Sequence, residues 1–237
     1  MRLSIDQFQR IYQVVSTTTD EIDRLTGVCA IIHGGKAEDY LKKTVSELAK
    51  YSVDISVPEG KALVSFNCQG KRFNVNHLVS TISAGDFIDL TAFTQTEQAL
   101  VENMHEIMAI FCTHNPRWFG KKMTRVQVAK WLKSHCDISI AYPTAVFFFF
   151  ALLEITETYR TLWNDGGNEN TKESEKGNPR TLEQHYGWVV TLDRLTGGDR
   201  SNWDFYLNMN VIEFLNYLCY LKDKQKVAQL EMVKQKG

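Results

Sequence analysis

AVFFFFALL, residues 145–153, is the longest uninterrupted apolar run in the sequence, and Glu154 and Glu157 end it. A helix that spans a bilayer needs about 20 apolar residues. Because this run has nine, it predicts the buried core helix of a globular protein rather than a membrane span. Pro143 suits the first turn of that helix, which we expect to extend from about residue 143 to residue 163.

Helical periodicity continues on both sides of this run. Ser4 and Gln7 have the spacing of a capping box at the start of a first helix. Apolar residues then recur every three or four positions, which is typical of amphipathic helices. The pattern predicts a core that includes Phe8, Ile11, Leu25, Cys29, Phe87, Leu90, Met104, Met108, Trp131, Phe147, Phe150 and Leu153.

The periodicity changes between residues 61 and 76. Apolar and polar residues alternate around Val64 and Phe66, and again around Phe73 and Val75, with Gly70 between the two runs. Two short alternating runs around a glycine-containing turn predict a β-hairpin. The fold class is therefore mainly α (α+β): a bundle-like helical N-terminal part with one small β-hairpin, and a small helical C-terminal part.

The segment 164–180 contains no large apolar residue. It cannot offset its ordering entropy by burial, so we interpret it as a flexible linker. It divides the chain into a mainly helical domain, residues 1–163, and a C-terminal helical region, residues 181–237. The last helix is expected to start after Asn210 and to carry an apolar stripe made of Val211, Phe214, Leu215, Leu218 and Leu221.

Composition limits the classes of partner. The 237 residues include 27 Lys and Arg against 28 Asp and Glu, a net charge of -1. A nucleic-acid binder normally carries a basic excess, so we expect no specific nucleic-acid partner. The five cysteines are odd in number and form no Cys-x-x-Cys pair, which favours a reducing cytoplasm. The N-terminus lacks the apolar segment of a secretory signal, and we expect no membrane partner.

The sequence carries none of the phosphate-loop, dinucleotide-binding, zinc-protease, serine-hydrolase or EF-hand motifs. We therefore assign no catalytic, cofactor-binding or metal-binding residue. The nearest approach to a site is a zinc-like set of two cysteines and two histidines. Its spacing is tight and two of its members are adjacent, so a buried cysteine near a loop histidine is the favoured interpretation. The set consists of Cys112, His114, His135 and Cys136.

Two other places carry residue types that occur in functional sites. His105 lies beside Glu106 on a predicted helix, and we interpret it as a satisfied boundary histidine rather than a general base. A basic stretch with two aromatic residues has the composition that stacks nucleobases, but an exposed loop with an anchoring tryptophan is the commoner explanation. That stretch consists of Arg117, Trp118, Phe119, Lys121 and Lys122.

Six segments of the sequence form a succession that can be compared with known families. They are LSIDQFQRIY (3–12), FNCQGKRFNV (66–75), ISAGDFIDL (82–90), ENMHEIMA (102–109), AYPTAVFF (141–148) and NVIEFLN (210–216). This succession resembles proteins encoded among the tail genes of tailed bacteriophages and prophages, especially those of Bacteroidetes-type hosts. The resemblance spans most of the chain and is poorest at 164–180. It carries no catalytic residue.

The resemblance implies a non-enzymatic phage morphogenesis factor. The role it favours is a tail-assembly chaperone, which binds the helical tape-measure protein in the host bacterial cytoplasm before the tail tube polymerises. A structural tail or baseplate protein of the virion is the alternative, and a zinc- or thiol-dependent enzyme is a third. Whether the chain forms a homo-oligomer stays open.

For the chaperone role we expect the stripe from Val211 to Leu221 to bind the client by helix-in-groove contacts. Replacing Phe214 and Leu218 by Asp is then expected to abolish client binding while the N-terminal part stays folded.

Overall fold

The computed structural model describes residues 3–41, 64–115, 121–163 and 187–236. The prediction of a mainly α fold with a small antiparallel sheet is confirmed. In chain order the described elements are α1 (Ile5–Thr17), α2 (Glu21–His33), α3 (Ala37–Leu41), β1 (Ser65–Cys68), β2 (Lys71–Val75), α4 (Ala84–Phe93), α5 (Glu97–Phe111), β3 (Cys112–Asn115), α6 (Arg125–His135), α7 (Ile138–Thr158), α8 (Arg160–Trp163), α9 (Trp188–Thr196), α10 (Trp203–Leu207) and α11 (Val211–Lys236), with 3₁₀ turns at Val79–Thr81 and Arg200–Asn202.

The chain divides into two compact units. Unit 1 contains Met1–His77 and Ala92–Phe150, and unit 2 contains Leu78–Thr91 and Ala151–Gly237. This division differs from the predicted domains, because the segment Leu78–Thr91 groups with the C-terminal residues rather than with its neighbours in sequence. The segment 164–180, predicted to be a linker, lies outside the described residues.

Unit 1 contains the predicted hairpin and one strand that the sequence did not indicate. The strands β1 and β2 pair antiparallel across Gln69 and Gly70, whose φ angles of 48° and 77° are the left-handed values that two-residue hairpin turns use. The third strand, β3, pairs with β2 and places His114 opposite Phe73. It follows directly from the end of α5.

Backbone hydrogen bonds join two helix starts in unit 1. The Ile5 N–H donates to the Cys136 carbonyl at 3.1 Å, and the Ile138 N–H donates to the Leu3 carbonyl at 2.9 Å. Ser4 lies between Leu3 and Ile5 and directly precedes α1. Asp137 lies between Cys136 and Ile138 and directly precedes α7. Ser4 completes the predicted capping box with Gln7, so the start of α1 is satisfied both locally and by a distant segment.

Unit 2 repeats this arrangement with different residues. The Ala84 N–H donates to the Met209 carbonyl at 2.8 Å, and the Val211 N–H donates to the Ile82 carbonyl at 3.0 Å. Ser83 and Asn210 lie between them and form an isolated antiparallel bridge. These bonds tie the start of α4 to the start of α11, which explains why Leu78–Thr91 belongs to the C-terminal unit.

An aromatic cluster around Trp188 forms the core of unit 2. The Trp188 ring lies 5.9 Å from Phe87, 6.0 Å from Phe214 and 5.3 Å from Trp163, measured between ring centroids. Its indole N–H donates to the Thr91 hydroxyl at 3.3 Å. Aromatic pairs at these separations add to the free energy of burial, so Trp188 joins α4, α8, α9 and α11.

The apolar run of α7 is buried on one face only. Phe148 is 1% exposed and stacks on Phe111, with 3.5 Å between the ring centroids. By contrast, Phe147, Phe150 and Leu153 are 39%, 62% and 45% exposed, so their assignment to the core is wrong. A helix turns by about 100° per residue, so a run of nine apolar residues must place some of them away from the core.

The other predicted core residues are buried or half-buried. Leu25 and Trp131 are half-buried, and the remaining seven are buried. The buried residues of the prediction are Phe8, Ile11, Cys29, Phe87, Leu90, Met104 and Met108.

Of the described helices, α7 is long and apolar enough to cross a bilayer by length and composition, with 39% of its apolar window buried inside the chain.

We expect the same Phe→Ala substitution to lower the free energy of unfolding by different amounts on the two faces of α7. We expect Phe148→Ala to lower the free energy of unfolding by about 3–5 kcal/mol, because it removes a fully buried ring and leaves a cavity. Phe150→Ala is the matched control and should cost less than about 1 kcal/mol, since that ring is mostly exposed. Urea denaturation measures both, and equal losses for the two variants would contradict the assignment of the faces.

Candidate functional site

The first half of α11 is part of the core of unit 2. Val211, Phe214 and Leu215 are each 0% exposed, and Leu218 and Leu221 are half-buried. The stripe predicted to bind a partner is therefore covered at three of its five positions by the chain's own residues. The partner-binding role of these residues stays a prediction, but the open surface assumed for it is not present at those three.

This burial also changes what the double substitution tests. Phe214 contacts the Trp188 ring inside the core of unit 2. An aspartate in that position would bury an unpaired charge, which is a strongly destabilising change. Loss of binding by the Phe214→Asp, Leu218→Asp variant would therefore report loss of folding in unit 2 rather than loss of a contact with a client.

In the second half of α11, every position from residue 223 to residue 232 is exposed. Tyr220, Val227 and Leu230 are 58%, 54% and 62% exposed, and their spacing places them along one face of the helix. We call these three residues the exposed seam. Between residues 222 and 236 the helix carries five lysines against Asp223 and Glu231, so the charges flanking the seam are mainly positive.

Polar contacts within unit 2 hold α11 where the seam begins. The Lys222 ammonium group donates to the carbonyl oxygens of Thr161 and Leu162 at 2.8 and 3.1 Å. One turn and a half earlier, the Tyr159 hydroxyl donates to the Asn216 side-chain oxygen at 3.0 Å. These contacts fix α11 against α8 and the residue that precedes it, up to the point where the exposed half of α11 starts.

A second candidate site is a polar pocket in unit 1, with a volume of about 680 Å³. Cys68, at the end of β1, and Cys136, between α6 and α7, both line it. The Cys136 thiol donates to the Asp137 carbonyl at 3.7 Å, and the two thiols are close enough for each to shift the pKa of the other. The pocket therefore brings together two cysteines that the sequence separates widely.

The two thiols have different acidities. The neighbouring Cys136 thiol lowers the pKa of Cys68, and the Trp131 indole and the Lys71 ammonium group lower it further, against the opposing effects of burial and Asp137. The neighbouring Cys68 thiol, followed by burial, raises the pKa of Cys136. Cys68 is therefore the thiol that ionises first.

Lys71, Trp131 and His135 form a stack beside the pocket. The Lys71 Nζ lies 3.5 Å from the Trp131 ring centroid, and the His135 ring lies 3.9 Å from it at an angle of 13°. Two groups so close to one centroid must occupy opposite faces of the ring. Trp131 is thus covered on both faces and offers no free face for stacking a nucleobase.

Lysines surround this stack in a shallow groove of about 480 Å³. Lys121 and Lys122 of the predicted basic stretch line it, together with Lys71 and Lys130. The aromatic members of that stretch, at 118 and 119, lie outside the described residues. The groove is a cationic surface, and the described residues give no support to a base-stacking role.

The residues of the zinc-like set have separate environments. Cys112 is buried in β3, where burial raises its pKa to about 12. His114 packs against Phe73, with 5.7 Å between the ring centroids, whereas His135 is exposed on α6 and Cys136 pairs with Cys68. In the described ranges of the chain, no group of three or more His, Cys, Asp or Glu side chains is placed to hold a metal ion.

His105 lies on α5 against α1. The Gln9 side-chain nitrogen is 3.3 Å from its Nδ1. Burial lowers the pKa of His105 to about 4, Lys133 contributes in the same direction, and Asp6 opposes them. The Glu106 carboxylate is 4.0 Å from Nε2, which is too long for a hydrogen bond, so burial decides the protonation state.

The depressed pKa of His105 predicts a loss of stability in mild acid. The unfolded chain takes up the proton near pH 6.5 and the folded chain only near pH 4, so the stabilisation is complete above pH 6.5. It is lost as the pH falls to about 4, with a total of roughly 3 kcal/mol. Urea denaturation between pH 7 and pH 4 should show this loss, and a His105→Gln variant should lack most of it. An NMR titration midpoint of His105 near 6.5 would contradict the prediction.

Comparison with family models, with curated proteins and with solved structures found no match to this chain.

Proposed function

We propose that this chain is a non-enzymatic morphogenesis factor of a tailed bacteriophage, acting as a tail-assembly chaperone that binds the helical tape-measure protein. One structural observation supports this proposal above the others: the second half of α11 is an exposed helix with an apolar seam. The resemblance of the sequence to phage tail-gene proteins supplies the identity of the partner.

The chemistry of the exposed seam suits a helical client. Tyr220, Val227 and Leu230 extend over almost three turns of helix, which is the length over which helix-in-groove contacts are made. The lysines beside the seam favour a client whose apolar stripe is flanked by acidic residues. A tape-measure protein that has not yet been enclosed in the tail tube presents long helical stripes of apolar residues.

The alternative is a structural protein of the tail or baseplate that uses the same seam for a permanent contact. A chaperone acts in the host bacterial cytoplasm and leaves before the particle is complete. A structural protein stays in the virion. The two proposals therefore differ in where the protein is found after assembly, and not in the surface that binds.

The seam predicts which substitutions abolish binding. We expect the double variant Val227→Asp, Leu230→Asp to lose at least about 100-fold in affinity for the tape-measure protein, because it removes two apolar contacts and adds two charges to the interface. Its melting temperature should stay unchanged, since both side chains are exposed. Pull-down of tagged protein from a phage-producing lysate, with mass spectrometry of the tape-measure protein, measures the effect.

Gln225→Asp is the matched control for this experiment. It adds a negative charge to the same exposed half of α11, on the face opposite the seam, and should bind like the wild type. Full binding by the double variant would contradict the assignment of the seam. Presence of the protein in purified mature particles, at the stoichiometry of a tail component, would favour the structural alternative over the chaperone.

A further inference from the structure

We propose that Cys68 and Cys136 are a redox-active dithiol, which is converted reversibly into an intramolecular disulfide by thiol–disulfide exchange with a low-molecular-mass disulfide such as oxidised glutathione. The proposal concerns unit 1 alone and does not depend on the proposed function, which rests on α11.

The geometry of the pair carries this proposal. Cys68 and Cys136 both line the pocket of about 680 Å³, and their thiols are close enough for each to shift the pKa of the other. Cys68 immediately precedes the hairpin turn, and Cys136 lies in the connection between two helices. Because both residues line the same pocket, a small disulfide in the pocket has access to the sulfur pair.

The surroundings of Cys68 make it the attacking thiol. The buried Trp131 N–H has no hydrogen-bond partner among the described residues, and its proximity to Cys68 lowers the pKa of that thiol. Lys71 is held near the same sulfur by its contacts with the Trp131 ring and with the Met123 sulfur, the latter at 3.7 Å. A thiolate needs nearby donors and positive charge of this kind.

Two helix starts add to this environment. Ser4 and Gln7 of α1, and Asp137 and Ser139 at the start of α7, line the same pocket. The N-terminal end of a helix carries partial positive charge and favours an anion. The two helix starts therefore favour the Cys68 thiolate, whereas the Asp137 carboxylate in the same pocket opposes it.

The reaction balances with one disulfide as the oxidant. The Cys68 thiolate attacks one sulfur of the small disulfide, whose sulfur–sulfur bond breaks and releases one thiolate. Cys136 then gives up its proton and attacks the Cys68 sulfur of the mixed disulfide, which releases the second thiolate. The released thiolates take up the two protons that the cysteines lost. The protein pair is oxidised by two electrons, and the small disulfide is reduced to two thiols.

The other cysteines have environments that disfavour this reaction. Burial raises the pKa of Cys29 and raises that of Cys112 to about 12. Cys219 is half-buried on α11, in unit 2. Cys112 is near enough to Cys136 to influence its pKa, so a Cys112–Cys136 bond is the competing outcome that a test must distinguish.

The test uses the full-length, reduced protein incubated at pH 7 with oxidised glutathione and analysed by peptide mapping. We expect one internal disulfide, between Cys68 and Cys136, which dithiothreitol reverses. In the reduced protein, iodoacetamide should modify Cys68 at least about tenfold faster than Cys29. A bond that involves Cys112, or modification rates that do not favour Cys68, would overturn the proposal.

Single substitutions separate the roles of the two thiols. Cys136→Ser should accumulate a mixed disulfide between Cys68 and glutathione, because the second step is blocked. Cys68→Ser should form no mixed disulfide at Cys136, and Cys29→Ser is the matched control that should react like the wild type. Equal glutathione labelling of Cys136 in the Cys68→Ser variant would overturn the assignment of Cys68 as the attacking thiol. If a variant does not fold, the mapping of the wild-type protein decides alone.

Discussion

Each unit depends on a pair of backbone hydrogen bonds between two helix starts that are far apart in the sequence. In unit 1 they join Leu3 and Ile5 to the residues around Asp137, and in unit 2 they join Ile82 and Ala84 to those around Asn210. The first N–H groups of a helix have no partner within it, and burying them without partners is costly. A distant segment supplies those partners here. This constraint brings Leu78–Thr91 to the C-terminal helices and sets the division into units.

Features with a local cause were predictable from the sequence. The Ser4 capping box needs residues three positions apart, and the hairpin needs a turn that permits left-handed backbone at Gln69 and Gly70. The strand β3 has no such cause, because it exists only where β2 offers an edge. The sequence pattern also could not predict which face of α7 stays exposed. Every residue between 145 and 153 is apolar, so no polar side chain marks the face that stays exposed.

The candidate sites follow the same division between local and distant causes. The apolar stripe of α11 was visible as a periodicity, but periodicity does not tell whether a stripe packs on a partner or on the chain itself. The pairing of Cys68 with Cys136 had no sequence signal, since it arises from a hairpin end and an interhelix connection that only the fold brings together. The zinc-like set combined Cys136 with Cys112, although its spacing argued against a site, and burial in β3 raises the pKa of the Cys112 thiol.

The burial of Val211, Phe214 and Leu215 corrects the predicted binding stripe, and it also supplies what a binding helix needs. An isolated helix as short as the exposed half of α11 is marginal in water, and a partner that must order it loses affinity for that reason. The first half of α11 is fixed by the core of unit 2, and Lys222 fixes it again where the exposed half begins. Helix propagation from an ordered start is cooperative, so we expect the exposed seam to be helical without a partner. The residues of the predicted binding stripe therefore anchor the adjacent exposed seam.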